Sequence, residues 1–185
     1  MTVAQEDTQT TFNFKWSNFP LRTSGMNGDA RIRRNGWSLD EFAEWVDSKR
    51  VLDAGCGIGW YTDFLDEHNP SGETYGADIA VEALKKGREL GHKGLVAADL
   101  ARLPFPDSCF DYIACEEVIH HTPEPSAYLS RLVKKLKPGG TMTLYVYKEK
   151  PLLREMADTL LRERTTQMSI EQCLEFSEKV TELGR

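Results

Sequence analysis

The sequence predicts an α/β protein: a doubly wound, mostly parallel sheet with helices on both faces. Three observations carry that expectation. Short apolar and β-branched runs alternate with amphipathic helical patterns from residue 50 to residue 147. The first run ends in a glycine-rich turn, "VLDAGCGIGWYT" (residues 51–62), directly ahead of a helical pattern. A length of 185 residues with 40% hydrophobic content suffices for a single sizeable core.

Taken in order, residues 1–11 are polar and are expected to be mobile. Residues 12–37, "FNFKWSNFPLRTSGMNGDARIRRNGW", mix aromatics, glycines and arginines without a clean period, and are read as an ordered arm or lid. Ser38 and Glu41 then form a capping box ahead of the helix "SLDEFAEWV". "RVLDAG" is a strand, "GWYTDFLDEH" a helix, "ETYGADI" a strand and "AVEALKKGREL" a helix ended near Gly91. "GLVAADL" and, after the turn-rich "LPFPDS", "FDYIACEE" are strands. "PSAYLSRLVKKLK" places Tyr128, Leu129, Leu132, Val133 and Leu136 at helical spacing; "PGG" is a turn and "TMTLYVY" the fifth strand. Two helices follow, one built on Leu152, Leu153, Met156, Ala157, Leu160 and Leu161, the other capped by Ser169 with Gln172. The expected organisation is an arm over residues 1–37, a ligand-binding core over 38–147 and C-terminal helices over 148–185.

Composition narrows the classes. A net charge of −6 argues against nucleic-acid and anionic-membrane partners. No apolar run approaches the roughly 18 residues of a membrane span, and "MTVAQEDTQTTFNF" lacks the basic and apolar regions of a secretory signal. Cys56, Cys109, Cys115 and Cys173 form no CxxC pair, so they read as reduced thiols of a cytoplasmic protein, with no metal site expected.

The glycine turn sits between the first strand and a helix, where open parallel sheets bind ligands. Glycine permits positive φ and close approach of a ligand to the backbone, and the helix start favours an anionic group. The plainer alternative is a tight turn with no ligand. The pattern is GxGxG, and Trp60 stands where a dinucleotide fingerprint is awkward without its third glycine; no "GK[ST]" follows for a P-loop. Asp78 ends the second strand, 25 positions after Asp53. A carboxylate there can accept from both hydroxyls of a ribose, or cap the next helix, and the two roles are compatible. Asp99 ends the third strand, placed either to accept from an adenine amino group or to cap its own loop.

"VLDAGCGIG", "YGADIA", "AADLARLPFPDSCFDYIACEEVIHHTPEP" and "LKPGGTMTLYVY" resemble successive motifs of class I S-adenosylmethionine-dependent methyltransferases, in order, over residues 50–147. They are most similar to the small-molecule, type 11-like branch. "FKWSNFP" and "VYKEKP" are similar to bacterial members of sugar or natural-product pathways. The resemblance implies a Rossmann-like three-layer α/β/α fold and S-adenosylmethionine as cofactor. It implies that Asp53, Gly55, Gly57 and Gly59 surround the methionine part and that Asp78 holds the ribose with Ile79 packing on adenine. Asp99 and Leu100 edge the adenine, and Cys115 and Glu116 lie near the amino group and the methyl. Cys56 matches a small residue of the glycine motif, and Trp16 is a candidate to close over the cofactor. The family core has seven strands and five are legible here. That leaves the fifth strand as an edge for a second copy of the chain, for the C-terminal helices, or for more of a longer protein.

Methyl transfer mainly requires a nucleophile held in line with the donor. His121, Glu117 and His120 are candidate bases, against the plainer alternative that the histidines pack and cap a turn. Tyr147 and Arg22 are candidates to orient an acceptor. The expected function is methylation of a small molecule, first at a hydroxyl oxygen. The alternative is a cofactor-binding module without activity of its own.

Overall fold

The computed structural model describes residues 3–18, 28–148 and 151–183. The chain divides into two compact units, Met1–Tyr147 and Lys148–Arg185. In the first, β1 (Arg50–Ala54), β2 (Glu73–Asp78), β3 (Leu95–Ala97), β4 (Phe110–Glu116) and β5 (Leu136–Tyr145) form a sheet of order β3-β2-β1-β4-β5. Every neighbouring pair is parallel. Helices α4 (Trp60–Glu67), α5 (Val81–Glu89) and α6 (Pro125–Lys135) make the connections β1–β2, β2–β3 and β4–β5. The chain moves outward from β1 to β3 and then crosses back to β4. The order therefore reverses between β1 and β4, and a crevice opens there at the carboxyl ends of the strands.

Strand alternation divides the core. Leu52 and Ala54 of β1, with Ile113 and Cys115 of β4, pack with Tyr128 and Leu132 of α6. Val51, Tyr112 and Ala114 point to the other face and pack with Tyr61 and Leu65 of α4 and with Phe42 and Val46 of α3 (Leu39–Val46). Each of those fully buried side chains contributes roughly 1.5–3 kcal/mol. By the same parity, Asp53 and Glu116 belong to the α3/α4 face. The α3 capping box forms: the Ser38 hydroxyl accepts from Glu41 N–H, and the Glu41 carboxylate accepts from Ser38 N–H at 3.0 Å.

The N-terminal region departs from the sequence expectation. α1 (Val3–Asn18) covers most of the stretch expected to be mobile, and α2 (Gly28–Arg34) lies within the arm. The α1 sequence has no apolar stripe. It is fixed by docking, with Phe12 and Trp16 on Ile58, Ala80 and Ala83. The third strand is shorter than its sequence pattern, because Leu100–Arg102 turn into a short helix capped by Asp99. "PGG" lies inside β5, at a register shift opposite Phe110 and Tyr112 with Gly139 at φ +79°. In the second unit, α7 (Leu152–Thr165) and α8 (Ile170–Leu183) match the helical patterns, and Ser169 with Gln172 caps α8 reciprocally.

A residue with no sequence signal, Asn69, joins β1 to β2. It is buried; its Oδ1 accepts from Lys49 N–H (3.2 Å), and its Nδ2 donates to Lys49 O (3.0 Å) and Thr74 Oγ1 (3.1 Å). Asn69→Ala is expected to cost about 2 kcal/mol by leaving buried partners unmatched, read as a lower urea midpoint. An unchanged midpoint would show that the β1–β2 entry does not depend on it.

Candidate functional site

The site is built on the turn between β1 and α4. Gly55, Gly57 and Gly59 have φ of +85°, +57° and +92°, a region where a side chain is strained. Gly55 and Cys56 N–H donate to Ala77 O at 2.7 and 3.2 Å, and Gly57 N–H donates to Asp78 Oδ2 at 2.7 Å. Three successive amides thus tie the turn to the end of β2. A Cβ on Gly55 would overlap Val118, and one on Gly57 would lie 2.9 Å from Trp16 Cζ2. The glycines are required by close packing as well as by backbone conformation.

Three carboxylates converge on this turn. Asp78 also accepts from Ala80 N–H at 2.7 Å, so it starts α5 as well as pinning the turn; burial raises its pKa and the two amides oppose that. Asp53 is 3% exposed and accepts from Thr62 Oγ1 at 2.8 Å. Burial pushes its carboxyl up to about 7. The Thr62 hydroxyl and the Arg31 charge pull it down, and Asp78 and Glu116 push it further up. Glu116 ends β4, is 5% exposed and pairs with Arg34 of α2. Buried carboxylates in this number suit a ligand with positive charge.

α1 lies across the opening. Gln9 Nε2 donates to Ile79 O at 2.8 Å, and Asn13 Oδ1 accepts from Glu82 N–H at 3.2 Å in the first turn of α5. The Trp16 indole rests against Gly57. Phe12 meets the His121 ring edge to face, with centroids 5.4 Å apart. Beyond β4, His120 contacts His121 and Tyr147, each with centroids 4.2 Å apart. Burial lowers the pKa of both histidines, so both are neutral near pH 7. His120 Nδ1 and Nε2 are buried without a hydrogen-bond partner among the described residues.

The sequence-predicted residues divide accordingly. Asp53, Gly55, Gly57, Asp78, Glu116 and Trp16 come together at the turn, and Ile79 joins them through its carbonyl. His120, His121 and Tyr147 form a second group, with the exposed Glu117 near both histidines at φ +62°. Four side chains point elsewhere. Asp99 accepts from Ala101 N–H at 2.9 Å and caps its own loop. The Leu100 and Cys115 side chains lie in the α6-side core, where burial raises the Cys115 thiol to about 12. Strand parity puts Cys115 on the opposite face from Glu116, so only its backbone borders the site. Cys56 packs with Leu84 and Leu95, its thiol pushed well up by burial. Arg22 lies outside the described residues. Gln9, Asn13, Arg31 and Arg34 carried no signal of their own, except that a glutamate on the buried face of β4 calls for a cation.

Residues 52–144, half of the chain, match the family described as methyltransferase domain. The chain belongs to this family. That family is the type 11 branch of the class I S-adenosylmethionine-dependent methyltransferases. It is 34% identical over 112 residues to a demethylmenaquinone methyltransferase of Geobacillus kaustophilus, covering 57% of this chain and 47% of that protein. It is 34% identical over 140 residues to phosphoethanolamine N-methyltransferase 3 of Arabidopsis thaliana, covering 71% of this chain and 28% of that one. The chain thus spans less than half the length of either relative. A solved S-adenosylmethionine-dependent methyltransferase structure from Methanococcus maripaludis covers 100% of this chain and 86% of its own, with a TM-score of 0.55 and 13% identity, which shows the shared fold. The family's cofactor is S-adenosylmethionine, and the residues fit it. Gly55, Gly57 and Gly59 lay bare backbone directly under Val118, Trp16 and Leu95, and the buried Glu116 Oε1 has no hydrogen-bond partner among the described residues. No helix among the described residues is long and apolar enough to cross a membrane.

Between the ordinary carboxyl value of 3.8 and about 7, folded Asp53 keeps a proton that the unfolded chain has lost. Its contribution to stability therefore falls as pH rises through that window. Asp53→Asn keeps an oxygen for Thr62 and removes the loss. The variant's stability relative to wild type is expected to rise by on the order of 2 kcal/mol between pH 5 and pH 8, measured by urea unfolding. A difference that does not change with pH would show that Asp53 is ionised throughout.

Proposed function

We propose that the chain binds S-adenosylmethionine at the β1/β4 switch point and promotes transfer of its methyl group to a small-molecule acceptor, at a hydroxyl oxygen of a sugar or natural-product-like metabolite. The observation that carries this reading is the left-handed glycine turn bonded to Asp78. It presents bare backbone and a carboxylate side by side at the carboxyl ends of β1 and β2. In this reading Asp53, Gly55, Gly57 and Gly59 surround the methionine part, Glu116 and the backbone of Cys56 and Cys115 lie beside it, and Asp78 holds the ribose. Ile79, with the backbone around Asp99 and Leu100, borders the adenine. Trp16 closes over the cofactor from α1.

The cofactor supplies a methyl group already activated on a sulfonium. The chain's residues have to exclude water, hold an acceptor in line and take up a proton. α1 provides the cover. His121 and His120 are proposed to take the hydroxyl proton, because a neutral imidazole is the form that can accept it. Glu117, close to both, is a candidate to orient them. The relatives' names cover a menaquinone precursor and an amine, so the hydroxyl acceptor rests on the neutral histidines of this chain.

The test is calorimetric titration of the chain with S-adenosylmethionine and S-adenosylhomocysteine, for which micromolar binding is expected. Asp78→Ala is expected to weaken both at least about tenfold, the loss of one bond to a charged acceptor, and to lower the melting temperature, because Gly57 and Ala80 N–H lose their acceptor. Unchanged affinity would remove the ribose assignment. His121→Ala is expected to lower S-adenosylhomocysteine formation about a hundredfold with hydroxylated acceptors while leaving cofactor affinity intact; full activity would remove His121 as base. Binding by the wild-type chain without turnover on any acceptor would favour a binding module.

A further inference from the structure

α2 brings two arginines to the carboxyl end of the sheet. Arg31 lies over Trp60 and Tyr61, 4.9 and 4.7 Å from the ring centroids. The Arg34 guanidinium sits 3.7 Å from the Tyr145 centroid and pairs with Glu116 Oε2. The Glu116 side chain is 1% exposed and that of Arg34 37%, so the pair joins an enclosed carboxylate to a cation reaching in from the surface. Glu116 Oε1 is buried and takes no hydrogen bond from any described residue. Glu116 also faces the glycine-turn side. Asp53 stands opposite Ala114 in the β1–β4 register, two residues from Glu116 on the same face, and the Glu116 charge acts on Asp53. One oxygen of Glu116 is thus committed to Arg34, and the other is buried with no hydrogen bond from a described residue.

We propose that Glu116 selects the charged methyl donor over the neutral product, and that Arg34 is the placeholder cation that pairs with Glu116 when no ligand is bound. The inference rests on the reading of this site as an S-adenosylmethionine site. S-adenosylmethionine carries a sulfonium and an ammonium against one carboxylate. S-adenosylhomocysteine has lost the sulfonium charge and is neutral overall. A buried carboxylate without a counter-charge is costly, and Arg34 removes that cost in the empty site. When the donor is bound, its positive charge shares Glu116 with Arg34 and the two cations repel each other weakly. Once the methyl group has left, the sulfur makes no charge interaction with Glu116, and the product is held less well than the donor.

The experiment is calorimetry with both compounds on wild type, Glu116→Gln, Arg34→Met and the double variant at pH 7.5. Glu116→Gln is expected to raise the ratio of donor to product dissociation constants at least about tenfold, since unit charges about 6 Å apart at an effective dielectric of about 20 interact by a factor of roughly a hundred. Arg34→Met is expected to lower the ratio several-fold, and to have no effect on it in the Glu116→Gln background. A merely structural role would move both affinities together and leave the ratio alone. Glu116→Gln is nearly isosteric and decides the matter even where Arg34→Met folds poorly. Binding of both compounds with an unmoved ratio would overturn this inference while the cofactor reading stood. A wild-type chain that binds neither compound would overturn the cofactor reading, and this inference with it.

Discussion

The turn from β1 into α4 is the constraint on which the rest of the site depends. Its three glycines make it a meeting point for otherwise separate parts of the chain. The end of β2 reaches it through Ala77 O and the Asp78 carboxylate, and the loop after β4 through Val118. β3 reaches it through Leu95, which lies against Gly59, and α1 reaches it through Trp16. A side chain on Gly55, Gly57 or Gly59 would push one of these partners away. The cost would fall on the sheet ends and the lid together, because the same few atoms hold all of them. A turn that is rigid through its neighbours can present backbone to a ligand without reorganising first.

The charge pattern follows from that geometry. Parallel strands end side by side, so Asp53, Asp78 and Glu116 are brought close together in a poorly solvated crevice. Each is stabilised in a different way. Asp78 takes two backbone amides, Asp53 takes the Thr62 hydroxyl with the Arg31 charge, and Glu116 takes Arg34. None of these partners cancels the charge of all three. An interior arranged like this is poised for a cation, and the two arginines of α2 limit how negative it becomes before one arrives. Aromatic faces under both guanidinium groups hold them at the rim, where they can respond to a ligand.

Most of the frame was legible because periodicity is a local property. The runs ending at Ala54, Asp78 and Glu116 alternate by two, the helices between them repeat near 3.6, and Ser38 with Glu41 marks a helix start within four residues. What was not legible is non-local. α1 has no apolar stripe, and its helix is secured by Gln9, Phe12, Asn13 and Trp16 meeting residues 57 to 121. Nothing within "GDARIRR" tells which arginine meets a glutamate 82 positions later. Cys115 and Glu116 show where local reasoning had more to give. Both end the same strand, and both were placed at the site. Alternation alone sends Cys115 into the α6-side core and Glu116 to the face of Asp53.

The lid connects these observations. α1 bonds to Ile79 and Glu82 on the β2 side of the crevice and touches His121 on the β4 side, with Trp16 between. It therefore spans the switch point, from the region assigned to the cofactor to the histidines assigned to the acceptor. Two neutral hydrogen bonds contribute only about 1 kcal/mol each, and the helix itself buries no continuous apolar stripe. Most of its hold on the sheet therefore comes from Phe12 and Trp16 packed on Ile58, Ala80 and Ala83. Trp16 covers Gly57, and it belongs to the same helix as Phe12. One helix thus supplies both the aromatic contact on the glycine turn, through Trp16, and the one on His121, through Phe12.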